Sequence, residues 1–395
     1  MASELNIMNK SICIHPWNAM AVRPYGVSVP CCKFRAEDDF ANQSRITEDP
    51  RNHESWVNIR KDMLAGIPIK SCAACYQEEA SGADSMRSIS VKSLDRPLPT
   101  STDCDKLNSL EIAFSNLCNL ACVSCSRWLS STWASEDYKH KRIDNKLHGK
   151  IVDYRSLVSH GSDIDQLDLS YLRKLKIIGG EPFMDQEKFI NLMERLDLSQ
   201  ITLRVSTNGT VLPNARLKSL IDQCERVIIE VSIDGIGSVG EWYRWPTKFE
   251  EVKQVMNQFQ EWWGNDSRFE FGTHTVINVF NIWNLDSIVH FMNANYPSWE
   301  LYFDWMFNPS WQAICIIPEE FKLDIKTNLL KWNDTVLGNW GAHTNSPFLA
   351  TIDRLYDKPN SNWETFKERM FSLAKERNLD VLKMVPELAK IIKST

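Results

Sequence analysis

Residues 110–128, LEIAFSNLCNLACVSCSRW, set an apolar run, Leu110 to Phe114, directly before three cysteines spaced C-x3-C-x2-C: Cys118, Cys122 and Cys125. Clustered thiols in a reducing compartment read as metal ligands or catalytic groups before they read as disulfides. A structural zinc site closes its tetrahedron with four ligands, commonly in C-x2-C pairs. Three thiolates on one loop suit three irons of a [4Fe–4S] cubane and leave the fourth iron open. An open iron can bind a ligand of its own.

Further motifs follow, most of them at the ends of strand-like runs. KLKIIGGEPFMD carries Gly179, Gly180, Glu181 and Pro182; VSTNG carries Asn208; VSIDG carries Ser232 and Asp234; EWYRWP carries Arg244. In this order, over residues 108–310, the chain resembles the radical SAM superfamily. The resemblance implies a cluster loop after the first strand of a partial barrel, with S-adenosylmethionine (SAM) held on the open iron by its amino and carboxylate groups. It implies that the Gly-Gly-Glu-Pro motif contacts the methionine amino group, that Asn208, Ser232 and Asp234 line the SAM pocket, and that Arg244 meets the SAM carboxylate. Gly179 and Gly180 are expected to let backbone approach SAM closely, since no side chain intervenes. The implied chemistry is reductive cleavage of SAM to a 5′-deoxyadenosyl radical, followed by hydrogen abstraction from substrate. A zinc knuckle with a coincidental GGEP is the alternative.

A second group comprises Cys13, Cys31, Cys32, Cys72 and Cys75, written C-x12-G-x4-C with Gly26 as the glycine, a gap, then C-x2-C. It resembles the Twitch pattern, the shorter relative of the SPASM domain, which implies an auxiliary [4Fe–4S] cluster on Cys13, Cys31, Cys72 and Cys75. Spacing leaves Cys31 and Cys32 interchangeable. Four thiolates would close the shell and leave no iron for substrate. No cysteine lies between Cys75 and Cys104, so one auxiliary cluster is expected, accepting an electron from substrate or relaying electrons to the first cluster. Twitch extensions usually follow the barrel, and this one precedes it. A four-cysteine zinc module fits the same spacing.

Strand-like runs recur at SLEIAF, KLKII, TLRVS, VIIEVSI, FEFGTHTV and ELYFDWM with helical patterns between them, the alternation of a parallel sheet. Phe189, Leu192, Met193 and Leu196 fall at i, i+3, i+4 and i+7; Phe249, Val252, Met256, Phe259 and Trp263 keep a similar spacing. Both stripes read as core. The expected fold is α/β: a partial (β/α)6 TIM-type barrel at 106–310, a small Twitch-like iron–sulfur domain at 1–105 and a helical C-terminal cap at 311–395. Active-site residues belong at the C-terminal strand ends. Residues 137–170 read as a polar insertion. Gly235, Gly237 and Gly240 match G-x-G-x-x-G, but no acidic residue ends a second strand about 20 positions on, so they belong to the loop after the fourth strand.

Lys plus Arg is 45 and Asp plus Glu 51, a net charge of −6 that argues against a phosphate-tracking nucleic-acid binder. The start, MASELNIMNKS, lacks a secretory apolar segment, and no apolar run approaches a membrane span, so a cytoplasmic protein with reduced thiols is expected. Of the unassigned cysteines Cys104, Cys224 and Cys315, Cys315 after the sixth strand is best placed to return a hydrogen atom to substrate; the other reading is a buried apolar residue. Trp283, Trp299, Trp305 and Trp311 either line a peptide groove or pack a helical cap. Relatives of the Twitch type imply either modification of a ribosomally made peptide or oxidation of a small metabolite such as an aminosugar. A peptide substrate would need a separate recognition protein, since no leader-binding domain fits before Cys13. The resemblance also implies a flavodoxin- or ferredoxin-type reductant.

Overall fold

The computed structural model describes residues 11–24, 27–35, 49–80, 84–94, 96–143, 146–147, 150–151, 153–157, 162–165, 167–340 and 346–392. Gly26 and parts of the polar insertion lie outside the described residues. The strands are β1 (Ala19–Val22), β2 (Ser28–Val29), β3 (Ser109–Ala113), β4 (Lys146–Leu147), β5 (Lys150–Ile151), β6 (Lys174–Ile178), β7 (Thr202–Thr207), β8 (Arg226–Ser232), β9 (Phe269–Ile277) and β10 (Glu300–Trp305). All six apolar runs of the expected barrel are strands.

Eight strands form one sheet in the order β10-β9-β8-β7-β6-β3-β1-β2, and β4 with β5 make a separate hairpin. From β3 to β10 the order follows the chain without reversal. That is the singly wound order of a barrel, and it has no switch point of the kind that seats a dinucleotide. The pairs β3–β6, β6–β7 and β9–β10 are parallel. Helices separate the strands, among them Ser131–Lys139, Gln186–Met193, Ala215–Ile221, Phe249–Trp263 and Leu285–Asn295. The N-terminal hairpin does not make a sheet of its own: β2 pairs antiparallel with β1, and β1 runs parallel to β3.

Contacts divide the chain into two compact units, one of residues 1–117, 144–205 and 213–227, the other of 118–143, 206–212 and 228–395. In the first, the alternating face of β7 buries Leu203 and Val205, while Phe189, Ile190, Leu192 and Met193 bury the matching stripe of their helix. Leu196 departs from the expected stripe because that helix ends at Met193 and is capped at Glu194. In the second, Phe249, Val252, Met256, Phe259 and Trp263 are buried as the spacing predicts. Helices Glu319–Thr335, Pro347–Leu355 and Trp363–Arg377 make the C-terminal region helical.

The start of the expected polar insertion is instead the end of a helix. Residues 137–139 complete Ser131–Lys139, and Asp137 is buried between Arg127 and Arg142, 2.8 Å from each. The glycine fingerprint also has a packing explanation. A side chain at Gly240 would sit 2.3 Å from Gly235 O, and Gly237 takes φ +56°, so the spacing lets the loop after β8 fold onto the first turn of helix Ser238–Tyr243. Among the described residues no helix is long and apolar enough to cross a membrane.

Candidate functional site

The loop 118–125 is fixed through its backbone. Ser130 N-caps helix Ser131–Lys139 and donates to Leu120 O at 2.6 Å; Thr132 donates to Cys118 O at 2.6 Å. Trp133 Nε1 donates to Cys122 O at 2.6 Å, Arg377 Nη2 to Ala121 O at 2.7 Å, and Gln312 Nε2 to Val123 O at 2.8 Å. Ala121 N and Val123 N donate to Trp245 O and Tyr243 O, both at 2.7 Å. A loop whose carbonyls and amides are so fully engaged presents its side chains in one arrangement.

The side chains so presented are the three thiols. Leu120 N lies 3.4 Å and Asn208 Nδ2 3.8 Å from Cys118 Sγ, and Arg244 Nη1 lies 3.9 Å from Cys122 Sγ. Burial pushes the Cys122 and Cys125 thiols up. Cys122 and Cys118 push Cys125 up further, because three thiolates gathered together repel. Arg244 and Arg377 act the other way on Cys122. One buried and two half-buried thiols, two of the sulfurs faced by N–H donors, are surroundings of the kind that tune iron–sulfur clusters, so the donor set fits a cubane held by three cysteines.

Asn208 and Asp234 are both anchored to neighbouring residues. Asn208 Nδ2 also donates to Asn119 Oδ1 at 3.0 Å, and Thr210 binds Asn208 Oδ1 through N and Oγ1 at 2.9 and 2.6 Å. Asn119, between the first two cysteines, therefore joins the cysteine loop to the end of β7. Asp234 Oδ1 accepts from Val276 N at 2.8 Å, and its Oδ2 lies 2.7 Å from Arg244 Nη2. Arg244 is therefore oriented by a carboxylate as well as placed beside Cys122. Ser232 ends β8, half-buried.

In the first unit the Gly-Gly-Glu-Pro segment follows β6. Gly179 takes φ +93°, and a Cβ there would lie 2.5 Å from Ala113 Cβ; at Gly180 it would lie 2.0 Å from Leu117 O. The room a side chain would need is occupied by backbone 113–117, which enters the cysteine loop. The glycines thus admit the chain's own backbone. Glu181 N donates to Leu117 O at 2.7 Å, and the buried Glu181 carboxylate accepts from Phe183 N at 3.1 Å, capping the turn Pro182–Met184. Ser115 donates to Asp185 and receives Leu117 N at 3.1 Å. A narrow recess there is lined by Phe114, Ser115, Gly179, Gly180, Glu181 and Asp185.

The N-terminal cysteines come from three places: Cys13 ahead of helix His15–Asn18, Cys31 and Cys32 after β2, and Cys72 and Cys75 at the start of helix Ala73–Ala80. Burial raises Cys13 to about 11 and Cys72 to about 12; Cys75 adds to the rise of Cys13, and Cys13 and Cys75 add to that of Cys72. Cys31 is pushed well up by burial and then by Cys13. Burial also raises Cys32, but the charges that act on it are those of Glu111, Lys176 and Arg23, and its Sγ lies 4.0 Å from Met86 Sδ. Between the two interchangeable thiols, Cys31 is the one grouped with Cys13 and Cys72. Ser90 Oγ lies 3.9 Å from Cys13 Sγ, and Arg87, ion-paired with Glu79, favours the thiolates of Cys13 and Cys72. No disulfide forms. Among the described residues no three ligating side chains converge on one ion-sized point.

Cys315 lines a cleft of about 240 Å³ with Trp305, Phe307, Ile314 and Arg354; the motif residues named above are absent from its lining. Trp299 stacks on Phe271, and Trp311 meets Phe280 and Phe366. Trp283 donates to Val279 O and Trp305 to Thr351 Oγ1. Trp299 and Trp311 thus pack against neighbouring aromatic rings, whereas Trp305 also lines the cleft. Sequence reasoning missed Asn119, Trp133, Glu136, Gln312 and Arg377, all of which bear on the cysteine loop or its supports.

No protein-family model matches the chain, and no curated protein does. Matching solved structures include native anSMEcpe with bound AdoMet, 15% identical with a TM-score of 0.39 over 57% of this chain and 60% of that one. Streptococcus suis SuiB bound to S-adenosylmethionine matches at 13% identity and TM-score 0.35, over 76% of this chain and 54% of that one. SuiB bound to precursor peptide SuiA matches at 11% and 0.37, over 74% and 66%. The chain spans less than two thirds of the length of each.

Proposed function

We propose that this chain is a radical SAM enzyme acting on a peptide or protein substrate. Cys118, Cys122 and Cys125 would hold a [4Fe–4S] cluster with one open iron; Cys13, Cys31, Cys72 and Cys75 would hold an auxiliary one. The observation that carries the reading is the loop 118–125, where three thiols are gathered on a backbone with its carbonyls engaged and side-chain donors stand at two of the sulfurs. With the cluster and SAM bound, such a site supplies one-electron cleavage of the sulfonium and abstraction of hydrogen from an unactivated carbon.

The chain's own residues orient and shield. Asp234 fixes the Arg244 guanidinium, whose remaining donors would take the SAM carboxylate in a charge-assisted bond. The Glu181 carboxylate, held by its own cap, would take the amino group. Asn208 would line the pocket while anchoring Asn119. The peptide class, a separate recognition protein, a flavodoxin-type reductant and a cytoplasmic setting rest on the sequence resemblance, with a small-metabolite dehydrogenase as the second substrate reading.

Anaerobic reconstitution tests the reading. The full chain is expected to take up about eight irons, two cubanes, and to release 5′-deoxyadenosine from SAM and dithionite. Replacing Cys118, Cys122 and Cys125 together by Ala should halve the iron and abolish that release. Retained SAM cleavage in this variant, or zinc in place of iron, would sink the reading.

A further inference from the structure

Arg377 is the last residue of helix Trp363–Arg377, where Asn378 turns the chain into the left-handed conformation. Its side chain has no exposed surface. Nε and Nη2 meet Glu136 Oε1 and Oε2 at 3.1 and 2.9 Å, and Nη2 also donates to Ala121 O at 2.7 Å, midway along the cysteine loop. The guanidinium lies 5.1 Å from the Trp133 ring and 4.7 Å from the Trp245 ring. Both tryptophans themselves hold the loop, through Cys122 O and Ala121 N.

A buried ion pair is costly to assemble, and packing alone would be served as well by apolar side chains. Arg377 carries a further cost: Nη1 is buried with no hydrogen-bond partner, a state rare in folded proteins and one that asks for an explanation. The cation stands where charge changes. A cluster held by three thiolates is anionic and gains one more negative charge when reduced. A fixed cation nearby favours that reduced state, while Glu136 opposes it.

We propose that Arg377 is a positioning residue of the radical SAM site: it locks the loop 118–125 from the C-terminal helix and raises the reduction potential of the cluster on Cys118, Cys122 and Cys125. The inference rests on the function proposed above. Arg377 and Glu136 therefore form an antagonistic pair, one easing and the other resisting the arrival of an electron from the external reductant.

The test is a dithionite titration of the reconstituted full chain followed by electron paramagnetic resonance, taking the signal that shifts on adding SAM as this cluster and the other as internal control. In Arg377→Met the ratio of reduced to oxidised cluster at fixed potential is expected to fall about tenfold, about 59 mV for one electron. In Glu136→Gln it is expected to rise, and in Arg377→Lys, which keeps the charge, to stay within about twofold, or about 18 mV by the same conversion. Opposite shifts of one signal are beyond the reach of simple misfolding. Should Arg377→Met fail to fold, Glu136→Gln and Arg377→Lys still decide the matter. Shifts in the same direction, or none, overturn the inference. A wild-type chain without any SAM-sensitive signal overturns the function proposed above instead.

Discussion

Gly180 has no space for even one methyl group, because Leu117 O stands 2.0 Å from where a Cβ would be. Gly180→Ala must push backbone against backbone, and overpacking of this kind costs about 1–3 kcal/mol. Urea denaturation should show a lower midpoint at an unchanged slope; an unchanged midpoint would contradict the close approach. The displaced backbone at Leu117 leads straight into Cys118, so iron uptake should fall as well. At this scale the sequence made legible which thiols share a loop, Cys118, Cys122 and Cys125, and the structure sets Arg244 beside Cys122. The sequence was silent on Arg377, Gln312 and Trp133. Each reaches a backbone carbonyl with a side chain common in ordinary packing, and 256 positions separate Arg377 from Ala121.

Strands β9 and β10 lie side by side with His274 opposite Tyr302 and Val276 opposite Asp304, which brings His274 Nε2 within 2.9 Å of Asp304 Oδ2. Burial works against the imidazolium, but Asp304, Glu230 and Asp234 outweigh it and raise His274 above its ordinary range. A raised folded value means the pairing stabilises fully below the unfolded value, about 6.5, and fades as pH climbs through the folded one. Asp304 is largely exposed, so the gain is under about 1 kcal/mol. Unfolding midpoints taken at pH 5 to 9 should therefore decline slightly at the alkaline end in the wild type and less in Asp304→Asn. Equal profiles would remove the pair from the account. The strands themselves were the most legible elements, since each apolar run is bounded by polar or glycine residues. The end of helix Gln186–Met193 was less so, because Leu196 continues the apolar period beyond the last helical turn.

Each thiol set falls within one compact unit, Cys13, Cys31, Cys72 and Cys75 in the first and Cys118, Cys122 and Cys125 in the second. Metal binding adds to folding free energy wherever the unfolded chain lacks the site. Loading is thus expected to raise melting unit by unit. A gain of about 2 kcal/mol corresponds to roughly 4–8 °C for a unit of this size. In calorimetry the Cys118, Cys122, Cys125 triple Ala variant should lose the gain of one transition and keep the other; loss of both, or of neither, would refute the separation. The distance along the chain between the cysteine loop and its clamp also sets a timetable for biosynthesis. A ribosome adding about 5–20 residues per second needs roughly 13–50 s to travel the 256 positions from Ala121 to Arg377. Through that interval the three thiols emerge without their lock, so on the function proposed above the cluster is expected to be inserted only after Arg377 has joined the loop.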